Sequence, residues 1–241
     1  MPGSVDVWFA HEALLDQPQV AARLVSLLDA DERARRDRMA HEGGRRQQLL
    51  ARAMQREVLS RYEPAIAPAD WRFERSAAGR PALAAEFAAG GLNFNVAHTP
   101  GMVVMAVGRV ARIGVDVEAS DKRVPLPVAR RYFSPREATA LDALAPEARP
   151  RRFLRLWTLK EAYLKALGEG LAGGLDRITF TLGDDAGISF EHQDATQADR
   201  WTFHEFVQGG YLLALAYLDA ANPPAQVRLR EYRAEEVPQI L

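Results

Sequence analysis

Two short stretches of the chain carry side chains that could do chemistry together. The first, "IGVDVE", alternates as a β-strand does, so Asp116 and Glu118 point to one face and the apolar residues to the other. Paired carboxylates at the end of an apolar strand suit a hard cation such as Mg²⁺, which completes its shell with water and phosphate oxygens. They equally suit a strand edge whose polar face lies in water, and the spacing leaves both interpretations open.

The second stretch, "WTLKEAYLKALGEG", is typical of a helix and places Glu161 between Lys160 and Lys165. Near a metal held by the strand carboxylates, Glu161 would be a third ligand or a general base. The two lysines would then cover phosphates, because an ammonium group is a compact charge with three donors. The competing interpretation is a solvated helix in which Glu161 and Lys165 form an ordinary i,i+4 pair. We expect Trp157, one turn earlier, to pack in the core.

His98, in "FNVAHTPG", stands between a predicted strand and a turn. A lone histidine is either structural or catalytic, and the other histidines show no spacing with it that is typical of a zinc site. The chain has no cysteine, which excludes disulfides, thiolate metal sites and a cysteine nucleophile. It also has no G-x-S-x-G elbow, no Walker A string and no G-x-G-x-x-G loop, which disfavours the enzyme classes that those motifs announce.

Strands and helices must hold these residues, and the pattern of the chain predicts both. Strands are indicated at "SVDVWFA", "LNFNVAHTPGMVVMAVG", "IGVDVE" and "WTFHEFVQGGYLLALAYL". Helices are indicated from Gln19 to about Arg61, where the chain is strongly basic, and around Glu161. The sum predicts an α+β protein.

An internal echo bears on how the chain is divided. Phe94 and Phe203 recur with the same spacing as Gly101 and Gly210, and each glycine opens an apolar strand. We therefore predict a pseudo-twofold pair of similar α+β halves, residues 1–111 and 112–241, each a small antiparallel sheet packed with helices. An active site built by both halves is expected in the cleft between them.

Composition bounds the class of protein. The 241 residues are 48% hydrophobic and 26% charged, as in ordinary soluble globular proteins. Lys and Arg total 31 against 32 Asp and Glu, so no nucleic-acid partner is indicated. The amino terminus lacks the pattern of a signal peptide, and no apolar run is long enough to span a bilayer. We expect a soluble, cytoplasmic protein with no membrane partner.

Five strings, taken in order, resemble the signature of the 4′-phosphopantetheinyl transferases. "IGVDVE" is similar to the family's G-[IV]-D-[IV]-E, and "WTLKEAYLK" is similar to its W-x-x-K-E-A-x-x-K. "FSPREATAL" is similar to F-[ST]-x-x-E, while "GRPAL" and "FNVAHTPG" are similar to the upstream G-[KR]-P and F-N-x-[AS]-H-[ST]. With its full length, the chain resembles the Sfp-type branch, which is monomeric and has two halves, rather than the short trimeric carrier synthases.

The resemblance implies transfer of the phosphopantetheine arm of coenzyme A to a serine of an apo acyl or peptidyl carrier protein. Release of 3′,5′-ADP and dependence on Mg²⁺ or Mn²⁺ are implied with it. The implied metal ligands and catalytic groups are Asp116, Glu118 and Glu161, with Glu161 also a candidate general base, and Lys165. The implied coenzyme A contacts are Lys160 and Lys165 at the pyrophosphate, His98, Arg80, and Arg45, Arg46 and Arg52 near the 3′-phosphate.

Carrier proteins of this kind are acidic helical bundles, so the resemblance also predicts a docking surface on "RVPLPVARRYFSPRE". Its basic and apolar members are Arg123, Leu126, Val128, Arg130, Arg131 and Phe133. The residues alone leave two other functions open. A Mg²⁺-dependent nuclease or phosphohydrolase would use the same carboxylates on a phosphodiester, and a non-catalytic module would bind coenzyme A or a carrier protein without turnover.

Overall fold

The structure, a computed structural model, describes residues 3–75, 81–168, 174–183, 187–194, 201–219 and 225–234. The helices there are α1 (Pro18–Leu27), α2 (Ala30–Asp37), α3 (Glu42–Tyr62), α4 (Ala85–Ala88), α5 (Ala129–Tyr132), α6 (Pro135–Asp142) and α7 (Arg149–Leu167). The strands are β1 (Ser4–His11), β2 (Phe73–Arg75), β3 (Pro81–Leu83), β4 (Asn93–Thr99), β5 (Met102–Gly108), β6 (Arg112–Ala119), β7 (Ile178–Leu182), β8 (Ile188–His192), β9 (Trp201–Gln208), β10 (Tyr211–Leu218) and β11 (Gln226–Glu231).

Two sheets share one strand arrangement, which confirms the predicted pair of α+β halves. In the first half β1 pairs with β5 and β5 with β4, all antiparallel. In the second half β6 pairs with β10 and β10 with β9 in the same way. The repeated glycine of the sequence lies in the turn of the β4–β5 hairpin in one half and of the β9–β10 hairpin in the other. Gly101 and Gly210 occupy these turns with φ of 88° and 84°, a left-handed conformation that favours glycine.

A shared apolar core lies between the two sheets. Val5 and Val7 of β1 are buried in it with Val115 and Val117 of β6. Alternate residues of β1 pack instead with α3, and alternate residues of β10 pack with α7. Because successive side chains of a strand point to opposite faces, each half presents one face to its partner and the other to its long helix.

The two halves are also joined through polar groups. The side-chain oxygen of Asn95 in β4 accepts a hydrogen bond of 2.9 Å from the backbone N–H of Val115 in β6. The hydroxyl of Tyr211 donates to the carbonyl of Pro100 at 3.1 Å. The amide of Asn95 therefore satisfies a buried backbone donor at the junction, which an apolar side chain would leave unpaired.

The last strand departs from the predicted division at residue 111. The turn between β5 and β6 does fall there, but β11 returns to the first half and pairs parallel to β1, with Ser4 opposite Gln226. The predicted second half, 112–241, therefore includes a strand that belongs to the sheet of the first. The physical reason is that β11 covers the otherwise open edge of β1 and supplies two arginines to the buried Asp6.

Within these described ranges, the helices are all too short or too polar to cross a membrane.

Candidate active site at the junction of the halves

Strand β6 fixes the two carboxylates of the site. Asp116 and Glu118 alternate with the residues of the shared core, so both point away from it, as the strand pattern predicted. They lie opposite Ala214 and Leu212 of β10. Asp116 is 6% exposed and Glu118 is 8% exposed. Ionised groups buried to this extent need cations or hydrogen-bond donors around them.

Helix α7 crosses β6 at a glycine, and this crossing brings the second motif to the first. A Cβ atom at Gly114 would lie 2.1 Å from the carbonyl oxygen of Ala162 and 2.5 Å from the amide nitrogen of Ala166. A side chain there would therefore push the helix off the strand. With glycine in place, Glu161 and Lys165, one turn apart on α7, reach the carboxylates of β6.

Lysines pair with the two strand carboxylates, but the cluster retains unsatisfied oxygens. Lys165 Nζ lies 2.5 Å from Asp116 Oδ1, and Lys122 Nζ lies 2.6 Å from Glu118 Oε1. Asp116 Oδ2 and Glu161 Oε1 are buried and accept no hydrogen bond from any residue that the structure describes. Buried polar atoms without partners are rare and mark places where a ligand or ion completes the structure.

Burial and mutual repulsion shift the titration of these acids. Burial raises the pKa of Asp116, Lys165 lowers it and the charge of Glu118 raises it further. Burial also raises the pKa of Glu161, and the nearby charge of Asp116 adds to this effect. The three carboxylates therefore lie close enough to repel one another. An added cation would favour their charged forms.

The carboxylate oxygens of the site suit a hard cation, and they would supply only part of its coordination shell. Carboxylate oxygens are the ligands that Mg²⁺ prefers, and two of them here have no partner. Among the described residues, however, no group of three or more acidic, histidine or cysteine side chains is arranged to hold a metal ion. The three-carboxylate ligand set stays a prediction.

His98 brings the first half to the same place. It lies near the end of strand β4, one residue before Thr99, opposite Val103 of β5. Burial of the ring lowers the pKa of His98, and the charge of Lys165 lowers it further, against an opposing effect of Glu12. The charge of Lys165 on helix α7 therefore acts on the ring of His98. A lowered pKa favours the neutral imidazole, which offers one donor and one acceptor.

Lys160, which was predicted to contact coenzyme A phosphates, does not lie in this cluster. It is completely buried, and its ammonium lies 2.8 Å from Glu137 Oε2. It also donates to the carbonyls of Leu175 and Ile178, both at 2.7 Å. Successive helix residues differ by about 100° around the axis, so Lys160 faces the core of the second half while Glu161 faces β6.

The three arginines predicted near the 3′-phosphate diverge. Arg45 and Arg46 line a cavity of about 520 Å³ at the start of α3. Arg46 also donates to the carbonyl of Glu12 at 2.8 Å, and Glu12 Oε1 in turn accepts from the N–H of Gly101, beside His98. Arg52 instead faces α2, 3.5 Å from the carboxylate of Glu32, so it does not join the other two.

Two further expectations can be placed in the structure, and one cannot. Arg80 lies outside the described residues. Trp157 stacks on Phe153 in the second half, with ring centroids 5.9 Å apart, as a packing role requires. On the predicted docking stretch Phe133 is buried, 2% exposed, which is wrong for a residue that contacts a carrier. The exposed members of that stretch are Arg123, Arg130 and Arg131, with Leu126 and Val128 partly buried.

Comparison with known proteins decides the family. One family model, the 4′-phosphopantetheinyl transferase superfamily, matches residues 112–216, and another, 4′-phosphopantetheinyl transferase, N-terminal, matches residues 17–109. The 4′-phosphopantetheinyl transferase HetI of Nostoc sp. is 37% identical over 66% of this chain and 67% of its own length. The chain belongs to the 4′-phosphopantetheinyl transferase superfamily.

Longer matches support the two-half branch of the phosphopantetheinyl transferases. The 4′-phosphopantetheinyl transferase Sfp of Bacillus subtilis is 29% identical over 87% of this chain and 90% of its own, and the transferase ffp of the same species is 30% identical over 88% and 91%. A shorter structural likeness is that to the holo-[acyl-carrier-protein] synthase of Thermotoga maritima. The alignment has 24% sequence identity and a TM-score of 0.39, and it spans 46% of this chain and 65% of the synthase. The predictions of a Sfp-type member and of a transferase enzyme are confirmed.

Sequence reasoning missed four residues that shape the site of this phosphopantetheinyl transferase. Gly114 stood in the quoted "IGVDVE" motif without a role, and Asn95 stood likewise in "FNVAHTPG". Lys122 follows Glu118 by four residues, a spacing that signals a pair on a helix but not after a strand. Glu12 carries no local signal, because its contact with Gly101 joins distant parts of the chain.

Proposed function

We propose that this protein transfers the 4′-phosphopantetheine arm of coenzyme A to a serine of an apo acyl or peptidyl carrier protein, releases 3′,5′-ADP and requires Mg²⁺. The proposal rests on the family and on one structural observation. Lys165 is paired with Asp116 while Asp116 Oδ2 and Glu161 Oε1 are buried without partners, beside His98 of the other half. Such a site can hold a cation and a diphosphate together.

The chemistry assigned to each side chain follows from its position. Asp116, Glu161 and Glu118 would hold Mg²⁺, which when bound offsets the charge that develops on the diphosphate oxygens. Lys165 is partly exposed and can donate to the same oxygens. The neutral imidazole of His98 can donate one hydrogen bond to a phosphate at the edge of the cleft.

The proton of the serine needs an acceptor. The serine oxygen attacks the phosphorus that carries the pantetheine arm, the bond from that phosphorus to the bridging oxygen breaks, and 3′,5′-ADP leaves with the bridging oxygen. Glu161 is the acceptor that we assign, because its Oε1 accepts no hydrogen bond from the residues that the structure describes.

The test is the intact mass of an apo carrier protein after incubation with this protein, coenzyme A and Mg²⁺, with EDTA as a control. We expect the carrier to gain one phosphopantetheinyl group, and EDTA to abolish the gain. Glu161→Gln should lose most of the activity. Glu191→Gln is the control and should keep the activity, since Glu191 lies on β8, outside the two junction sheets, and pairs with Arg136 at 2.8 Å.

Other outcomes separate the alternatives. Binding of coenzyme A without transfer to any of several unrelated carriers would favour a non-catalytic module. Absence of coenzyme A binding, together with Mg²⁺-dependent cleavage of plasmid DNA, would favour a nuclease. Transfer that persists undiminished in EDTA would contradict the metal requirement but leave the transferase activity standing.

A further inference from the structure

A cation that lies outside both signature motifs holds the carboxylate of Glu118. Lys122 Nζ lies 2.6 Å from Glu118 Oε1, and the side chain of Lys122 is 47% exposed whereas that of Glu118 is 11% exposed. The pair therefore joins a buried acid of the proposed metal site to an ammonium at its rim. Lys165 does the same for Asp116 from the helix side.

The backbone after β6 directs Lys122 back over the end of the strand. Strand β6 ends at Ala119, and the N–H of Lys122 donates to the carbonyl of Ala119 at 3.1 Å, which closes a turn. The N–H of Ser120 donates to the carbonyl of Gly210 at 2.8 Å and fixes this turn against the β9–β10 hairpin. Lys122 is thus held beside the carboxylates by local structure.

The charge of Lys122 acts on more than its direct partner. Glu118 lies two residues after Asp116 on the same face of β6, and Lys122 Nζ lies 2.6 Å from Glu118 Oε1. Lys122 therefore offsets part of the repulsion among the three carboxylates. A divalent cation bound by those carboxylates would offset the same repulsion, so the ammonium and the metal compete for one site.

We propose that Lys122 is a built-in counterion that occupies Glu118 until a divalent cation displaces it, and that it thereby sets the metal affinity of the site. The inference rests on the proposed function, because it takes the same carboxylates as metal ligands. Displacing Lys122 costs little, because its half-exposed ammonium can return to water. An ion pair with an exposed partner changes a binding constant by at most about fivefold. Lys122 is a positioning residue that touches a metal ligand and not the substrate.

The experiment measures metal binding directly, with Mn²⁺ as the probe. Free Mn²⁺ is titrated with the full-length protein in the absence of coenzyme A and followed by electron paramagnetic resonance. We expect Lys122→Met to bind Mn²⁺ about 3- to 5-fold more tightly than the unchanged protein, because one repelling charge is removed. Arg123→Met removes the same charge from the adjacent exposed residue, and its effect should stay below about twofold in 0.15 M salt.

A second substitution shows whether the gain arises at Glu118. In the double variant Lys122→Met, Glu118→Gln, the tighter binding should disappear, because the oxygen that the lysine released is no longer charged. Equal or weaker binding by Lys122→Met, an equal gain in Arg123→Met, or a gain that persists in the double variant would each overturn the inference.

The two proposals can fail separately. Transfer to a carrier protein without the shift in Mn²⁺ affinity would leave the transferase activity and remove the role of Lys122. The shift in affinity without transfer to any carrier would leave Lys122 as the counterion of a metal site and remove the proposed reaction.

Discussion

The two halves of this molecule use one scaffold for opposite electrostatic purposes. In the first half β1 pairs with β5 and lies under α3, and in the second β6 pairs with β10 and lies under α7. Their registers place Asp6 where the second half has Gly114, and Trp8 where it has Asp116. Both strands thus carry a buried acid on the side that faces the helix. The position equivalent to Asp6 is two residues before Asp116.

The acid of the first half is fully satisfied by the protein. Asp6 accepts hydrogen bonds from Arg228 Nε at 2.7 Å, Arg230 Nε at 3.0 Å and the hydroxyl of Tyr62 at 2.5 Å. Burial raises the pKa of Asp6, but these hydrogen bonds outweigh burial and the pKa lies below its usual value. The pKa of Asp116 is shifted upward instead, and among the described residues its Oδ2 has no hydrogen-bond partner. A buried charge that the protein completes stabilises the fold, and one that it leaves incomplete is available to a ligand.

Exchanging each acid for its amide is the strongest test of this contrast. We expect Asp116→Asn to lower kcat by about 10²- to 10⁴-fold, because charge is lost where metal and proton must be handled, with little loss of stability. Asp6→Asn should leave kcat within a few-fold but lower the free energy of unfolding by about 1–3 kcal/mol, because arginines lose their acceptor. Steady-state transfer kinetics and urea unfolding measure the two effects. Equal loss of activity in both variants would contradict the division of roles.

The two lysines of the helix motif sharpen the same contrast within the second half. Lys160→Met should cost about 3–5 kcal/mol of stability, because it leaves the carboxylate of Glu137 buried without its partner. The kcat of the folded protein at low temperature should stay close to normal. Lys165→Met should lower kcat by about 10²- to 10³-fold and should cost less stability than Lys160→Met, because Lys165 is partly exposed whereas Lys160 is completely buried. If the Lys160→Met protein were stable but inactive, Lys160 would have to be assigned again to a contact with the coenzyme A phosphates.

Much of this site followed from local periodicity, and the errors have physical causes. Strand alternation was enough to place Asp116 and Glu118 on one face, and i,i+4 spacing was enough to join Glu161 to Lys165. Lys160 was predicted beside Glu161 because the two residues are adjacent in the family string. Adjacent helix residues point in directions about 100° apart, so Lys160 faces the core instead. The return of β11 to β1 could not be predicted, since parallel pairing across the chain depends on contacts such as Arg228 with Asp6 and leaves no local signal.

The close approach of α7 to β6 gives a smaller effect that is specific to the second half. Gly114→Ala should lower the free energy of unfolding by about 1–3 kcal/mol, because its Cβ would overlap the backbone of α7 at Ala162. Activity should fall with it, since Glu161 and Lys165 move with the helix. Gly43→Ala in α3 is the control, because nothing lies within 4 Å of a Cβ there, and it should be neutral or stabilising. Thermal unfolding and transfer assays on both variants decide whether the approach matters.

The pH dependence of stability gives the smallest and most direct test of the contrast, because the two acids are shifted in opposite directions. Asp6 has a lowered pKa when folded, so its contribution to stability is present above its unfolded pKa and is lost as the pH falls below about 4. Asp116 has a raised pKa when folded, so its charge opposes folding at neutral pH, and this penalty disappears as the group protonates in acid. In metal-free buffer, the stability advantage of the unchanged protein over Asp6→Asn should therefore shrink from pH 7 to pH 3, whereas its stability relative to Asp116→Asn should improve. Urea unfolding of the three proteins across that range measures both slopes, and slopes of the same sign would mean that the two acids are not the opposites that their surroundings indicate.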